Sequence, residues 1–315
     1  MSDISRVTQS SAAMNMVGDL QLDLTNLTNL QEQAASGLSL TQPSDNPTGT
    51  SQVLTFNSQI GRFQQYASNA GDGLNWLGTA TTALSSVSSA LNQVQTDVLS
   101  GANASASDTT SRAALASDVT QIKQELLGLA GTSYNNRPVF SGTLGTAPYP
   151  QGGASGVSDP TSSSYNPTVA YAYAGSNTAV TRVVGPGQTV NVSMTGNQVF
   201  GSGSSSVFAL LDTISTDLTS GNTSALTGSD LSQLKTAMNT IAQASGSLGA
   251  VTASVTQDQT NATTMVSNLQ IQVGDISDAN EDQVATELDL AETSYQAALE
   301  TTAKIIQPSL AQFLS

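Results

Sequence analysis

The chain has 315 residues with no His and no Cys, and its 8 Lys and Arg stand against 23 Asp and Glu for a net charge of −15. Without imidazole it lacks the usual proton shuttle near neutral pH, and without thiols it has no disulfide framework, thiolate nucleophile or sulfur-bound zinc. Acid in excess, with no basic cluster, excludes the phosphate neutralisation that nucleic-acid binding needs.

The first predicted element is a helix whose apolar stripe runs Val7, Met14, Val17, Leu20, Leu24, Leu27, Gln31, Ala34 and Leu38, closed by Gly37 and then Pro43. From Val53 a second stripe runs Phe56, Ile60, Phe63, Ala67, Ala70, Leu74, Leu77, Thr81, Leu84, Val87, Leu91, Val94 and Val98, stopping at Gly101. So long a run at 3–4 spacing predicts a rod, of about 70 Å at the rise of an α-helix. A shorter helix follows at Leu115, Val119, Ile122, Leu126 and Leu129, with Asp108 as its predicted N-cap.

Residues 138–206 differ in kind. Gly, Ser, Pro and Tyr accumulate, and strand-like alternation appears at 169–173, 179–184 and 189–194, with turn signals at 175–177, 185–187 and 195–197. This predicts a small antiparallel β domain at the far tip of the helical rod. A short helix, Val207–Leu218, leads back. Then, after Asp230 as a predicted N-cap, a third long stripe runs from Leu231 through Leu234, Met238, Ile241, Leu248, Val255, Ala262 and Leu269 to Ile276. The last helix carries Leu288, Ala291, Tyr295, Leu299, Thr302, Ile306, Leu310 and Phe313, with a kink expected at Pro308.

The fold expected is therefore mainly α: long antiparallel helical rods, coiled-coil in character, drawn from both chain halves, with a small antiparallel β domain inserted mid-chain. Residues 1–42 and 280–315 form a terminal helical domain for assembly, 43–137 and 207–279 a rod, and 138–206 an outer β-rich domain. Each terminal helix has one apolar stripe and few charges, is marginal alone in water, and needs a partner. The predicted assembly residues are Leu20, Leu24, Leu27, Leu38, Leu288, Tyr295, Leu299, Ile306, Leu310 and Phe313.

Particular stretches resemble the flagellin superfamily, and within it the hook–filament junction proteins. They are the leucine-rich helix Leu27–Gly37 with its Ser-Gly end, the turn Pro43-Ser44-Asp45-Asn46-Pro47, and Gln64–Ala70 with Asp72–Leu77. Arg137–Thr143 is similar to the family's exit into the β domain, and Gly196–Gly201 to its close. The turn departs from the family's pattern in having Asn46 where a second Asp is usual. The resemblance implies a structural subunit that leaves the cell through the flagellar type III apparatus without a cleaved signal. It also implies an export chaperone on the C-terminal region and a ring-like homo-oligomeric layer. That layer would contact a hook-side hook-associated protein and filament flagellin, without nucleic acid or membrane insertion. Two other readings stand beside it: flagellin itself, and a secreted adhesin or enzyme that presents the β domain on a helical stalk.

No catalytic, cofactor or metal constellation is legible. The acidic run Asp275, Asp278, Glu281 and Asp282 lacks the glycine hinge and alternating oxygen ligands of a calcium loop. It reads as a break between helices, capped by Asp278 or Asn280. Ser is abundant but has no His to activate it, and Lys123, Lys235 and Lys304 stand in no Ser-x-x-Lys motif. Trp76 reads as rod-core packing rather than an anchor for a partner.

Overall fold

The computed structural model describes residues 2–104, 108–150, 166 and 170–313, giving backbone alone at 2–10, 12–13 and 304–313. It divides into two compact units, Met1–Arg62 with Met265–Ser315, and Phe63–Thr264.

The first unit holds α1 (Ser2–Ser36), the start of α2 (Pro47–Asn103), the end of the long return helix α6 (Leu231–Ser277) and α7 (Glu281–Phe313). Gly37 stops α1 as expected: its φ is +71°, and its N–H closes on the Gln33 carbonyl at 2.8 Å. Such left-handed geometry suits glycine because a Cβ there meets the carbonyl oxygen. The chain then pairs Leu38 with Asp278. Ser39 N donates to the Ser277 carbonyl at 2.7 Å and Ala279 N to that of Gly37 at 2.9 Å. This bridge turns α7 back along α1, so the two terminal helices pack antiparallel.

The turn before α2 is held by side-chain oxygens. Asp45 accepts from Gln42 N at 2.8 Å, and Asn46 accepts from Gly49 N at 2.8 Å as the N-cap of α2. Pro47 takes the first helical position, where a missing N–H costs nothing. Asn46, the departure from the family pattern, is therefore a competent cap in its own right. Asn280 caps α7 in the same way, accepting from Gln283 N, with Glu281 and Asp282 in the first turn where carboxylates favour the helix dipole. Helix α7 runs on through Pro308 to Phe313.

The second unit has a fully buried core. Trp76, Leu77, Leu84, Val87, Leu91, Val94 and Val98 of α2 pack with Val119 and Leu126 of α3 (Thr109–Ala130). Leu211, Ile214 and Leu218 of α5 (Val207–Ser220) and Leu234, Ile241, Leu248 and Val255 of α6 complete it. The long stripes were right almost position by position; on α2 only Thr81 of those expected inward in this unit is exposed. Asp108 caps α3 by accepting from Ser111 N at 3.0 Å. Asp230 was expected to cap α6 but does not. It closes a π-helical turn, Leu226–Asp230, that runs into α6, and its side chain is buried.

Two small hairpins make up the described β structure. Strands β1 (Ser133–Tyr134) and β2 (Arg137–Pro138) are joined by Asn135 and Asn136 at φ of +48° and +61°, the backbone that a tight two-residue hairpin requires. Strands β3 (Thr181–Gly185) and β4 (Gln188–Asn191) pair antiparallel around the Pro186-Gly187 turn. Of the expected strand at 169–173, residues 167–169 lie outside the described residues, and 170–173 do not form a strand. Instead, Phe140, Tyr149, Tyr173, Phe200 and Phe208 form an aromatic cluster among the described residues. A short helix α4 (Gly196–Phe200) contributes to that cluster.

The β3–β4 hairpin is not at the far end of α2. Asn69 donates to the Val183 carbonyl at 2.9 Å, Arg182 pairs with Asp72 at 2.7 Å, and Gln188 reaches Asp258 of α6 at 3.1 Å. The reason is α3. Its 22 residues run back from the end of α2 for about 33 Å, and return the chain to Trp76 before the β segment begins.

Candidate functional site

The terminal helices meet along a thin seam. On α1 the partly buried residues are Met16, Leu20, Asp23, Leu27 and Leu30, with Gln33 in the last turn; on α7 the inward residues are Val284, Leu288, Ala291, Tyr295, Ala298 and Thr302. From Met16 to Leu30 and from Val284 to Thr302 the steps alternate between four and three, the a and d positions of heptads. Apart from Val284 none of them is fully buried, because Ala, Thr and Asp share the seam with leucine and there is little side-chain volume to close over it.

Of the predicted assembly residues, Leu20, Leu27, Leu288 and Tyr295 lie in this seam. Leu24 and Leu299, expected in the same stripe, do not: they are 47% and 44% exposed. Leu38, past the helix end, is also exposed. Ile306, Leu310 and Phe313 belong to the last turns of α7, and their side chains lie outside the described residues. The stripe read from the sequence on α1 was wider than the seam. It merged the inward positions with the neighbouring edge, while Leu30, a true seam residue, was missed.

That edge has a pattern of its own. Val17, Leu24 and Gln31 follow the d positions of α1, and Ala285, Glu292 and Leu299 follow those of α7. In an antiparallel pair these two flanks lie on the same side, so Val17, Leu24, Ala285 and Leu299 form one apolar edge. Val17 is 47% exposed. The opposite edge is polar: Asp19, Asn26 and Gln33 on α1, and Glu287, Ser294 and Thr301 on α7. A two-helix pair with one apolar and one polar edge has a side that further helices can cover.

The charged groups of the second unit do structural work. Lys123 is buried and pairs with Asp212 at 2.5 Å, while Tyr171 donates to the other Asp212 oxygen at 2.6 Å. Trp76 is core, as read: it packs edge-on to Tyr134 at 6.1 Å, under the Arg137 guanidinium at 5.8 Å. Sequence reasoning gave no hint of the Lys123–Asp212 pair, because its partners are 89 residues apart. Among the described residues no three carboxylates gather where a metal ion would fit, and no helix is long and apolar enough to cross a membrane.

Comparison with known proteins agrees with this architecture. Residues 7–144 match the bacterial flagellin N-terminal helical region. The chain is 30% identical over 175 residues to flagellar hook-associated protein 3 of Salmonella typhimurium, covering 55% of this chain and 50% of that protein. It is 26% identical over 132 residues to a flagellin of Clostridium tyrobutyricum, covering 42% of this chain and 35% of that one. The chain thus spans half or less of the length of these relatives. A solved putative flagellar hook-associated protein from Vibrio parahaemolyticus superposes with a TM-score of 0.65 at 20% identity, over 74% of this chain and 100% of that one. Residues 7–144 are thus similar to the bacterial flagellin N-terminal helical region, and the fold is similar to that of the Vibrio protein.

Proposed function

We propose that the protein is a structural, non-catalytic subunit of the bacterial flagellum, forming the junction layer between hook and filament by packing its terminal helices against copies of itself and neighbouring components. The observation that carries this reading is the α1–α7 pair, with its half-buried seam and the exposed apolar edge at Val17, Leu24 and Leu299. The similarity to hook-associated protein 3 supports the junction role in particular. In this role the subunit acts outside the cell, reached by flagellar export with a chaperone on its C-terminal region. Its neighbours are a hook-side hook-associated protein and filament flagellin.

Light scattering on the purified chain, alone and then with hook or filament fragments, tests the role. A junction subunit stays small alone and adds one saturating layer to a fragment. A chain lacking residues 296–315 keeps the core of the second unit, loses Leu299 and the end of the seam, and adds no layer. Undiminished incorporation of that truncation would show that the paired ends are not the assembly surface. Flagellin is the second reading, supported by the similarity to the Clostridium protein, and its signature is unlimited growth from seeds.

A further inference from the structure

We infer that the apolar edge of the terminal pair is built to receive a cationic amphipathic helix, one with an apolar stripe flanked by Lys or Arg, rather than the same edge of a second copy; this rests on the assembly reading above. The terminal unit carries 13 carboxylates against three basic residues, Arg6, Arg62 and Lys304. Its charge is not spread evenly. On α7 four of the six exposed acids, Asp282, Asp289, Glu292 and Glu300, follow one another at intervals of seven, three and eight residues, which keeps them on one side of the helix, while Glu287 lies on the opposite edge. That side adjoins the edge formed by Ala285 and Leu299, and Glu292 lies within the edge itself. Among the described residues, the ion pairs Lys123–Asp212 and Arg182–Asp72 involve none of these acids.

The surface therefore carries Val17, Leu24, Ala285 and Leu299 along a line that Gln31 and Glu292 interrupt, with carboxylates along its border. Two copies meeting edge to edge would bring these carboxylate rows together, and like charges opposite one another oppose association and suppress the wrong partner. A helix with leucines on one face and basic residues beside them covers the same line and neutralises the border. This favours contact with a different component over indefinite self-addition, as a single layer requires.

The test uses the full chain and two synthetic helical peptides with identical leucine stripes, one flanked by Lys and the other by Glu. Binding is followed by fluorescence anisotropy. The Lys peptide is expected to bind and to weaken about ten-fold between roughly 0.05 and 0.5 M NaCl, as screening shortens to a few ångströms. The Glu peptide is expected not to bind. Asp289→Lys with Glu292→Lys, both at exposed positions, brings the row to neutrality and should abolish the preference while leaving the helical circular dichroism unchanged. Equal binding of the two peptides, or a preference untouched by the charge reversal, would overturn the inference. So would self-association of the parent chain that strengthens as salt is lowered. Addition to hook or filament fragments at both salt concentrations separates the two readings. Salt-independent addition keeps the junction role and removes the cationic partner, whereas Lys-peptide binding without addition keeps the surface chemistry and removes the junction role.

Discussion

At the scale of single residues, the informative groups are the few charges that the second unit buries. Lys123 and Asp212 satisfy one another, with Tyr171 completing the carboxylate's hydrogen bonds. Removing one member of such a pair leaves the other charged and dry. Lys123→Met should therefore cost about 3–5 kcal/mol in urea denaturation, and Tyr171→Phe roughly 1–3 kcal/mol. Asp230 differs. Burial raises its carboxyl above the ordinary carboxylate range, and the nearby Asp217 adds to the effect, against a hydrogen bond from Ser229. Its folded-state value thus lies above its unfolded one. The stability it contributes is full below the ordinary carboxylate pKa and is lost as pH rises through the folded value. Asp230→Asn cannot ionise, so the variant should lose less stability than the parent between acid and neutral pH. Denaturation midpoints measured across that range check this, and parallel curves would mean that the carboxyl titrates alike in the folded and unfolded chains.

At the scale of elements, the helices show how so charge-poor a chain remains compatible with water. Thr252, Thr256, Thr260 and Thr264 of α6 each donate to the carbonyl four residues earlier, as do Thr286, Thr293 and Thr301 of α7. These hydroxyls bond within their own helix, leaving outer faces polar without side-chain charge, although such bonds bend and slightly weaken a helix. Helix ends depend on particular residues. Gly37 is left-handed at the stop of α1, and its carbonyl receives Ala279 N. Gly37→Ala should cost about 1 kcal/mol in thermal unfolding, because a Cβ is strained at that φ even though open space surrounds it. A neutral substitution would mean that the turn relaxes at no expense.

At the scale of the whole molecule, the two units are built on different margins. The second has leucines, aromatics and valines with almost no exposure, while the terminal pair has a seam that stays half open. Marginal burial gives low local stability. Amide hydrogen exchange should therefore be faster at Leu20–Leu30 and Leu288–Ala298 than at Leu77–Val98, and should slow in the terminal segments when the chain is incorporated into an assembly. Equal protection in both regions would remove the argument that neighbours complete the terminal pair.

The sequence by itself determined the long helices and the ends marked by Gly37, Asn280 and Asp108, because 3–4 spacing and these residues act over a few positions, whereas Asp230, read the same way, is no cap because a π-helical turn runs through it into α6. Tertiary structure alone decided which flank of α1 faces α7, since Leu20 and Leu24 are alike in chemistry and only the antiparallel partner distinguishes seam from edge. It also decided where the β hairpin sits, because that depends on α3 folding back along α2. The pairing of Lys123 with Asp212 was likewise invisible in the sequence, being a contact between residues far apart in the chain. Local spacing fixes elements; which of two equivalent faces is buried is settled only when another part of the chain, or another chain, covers it.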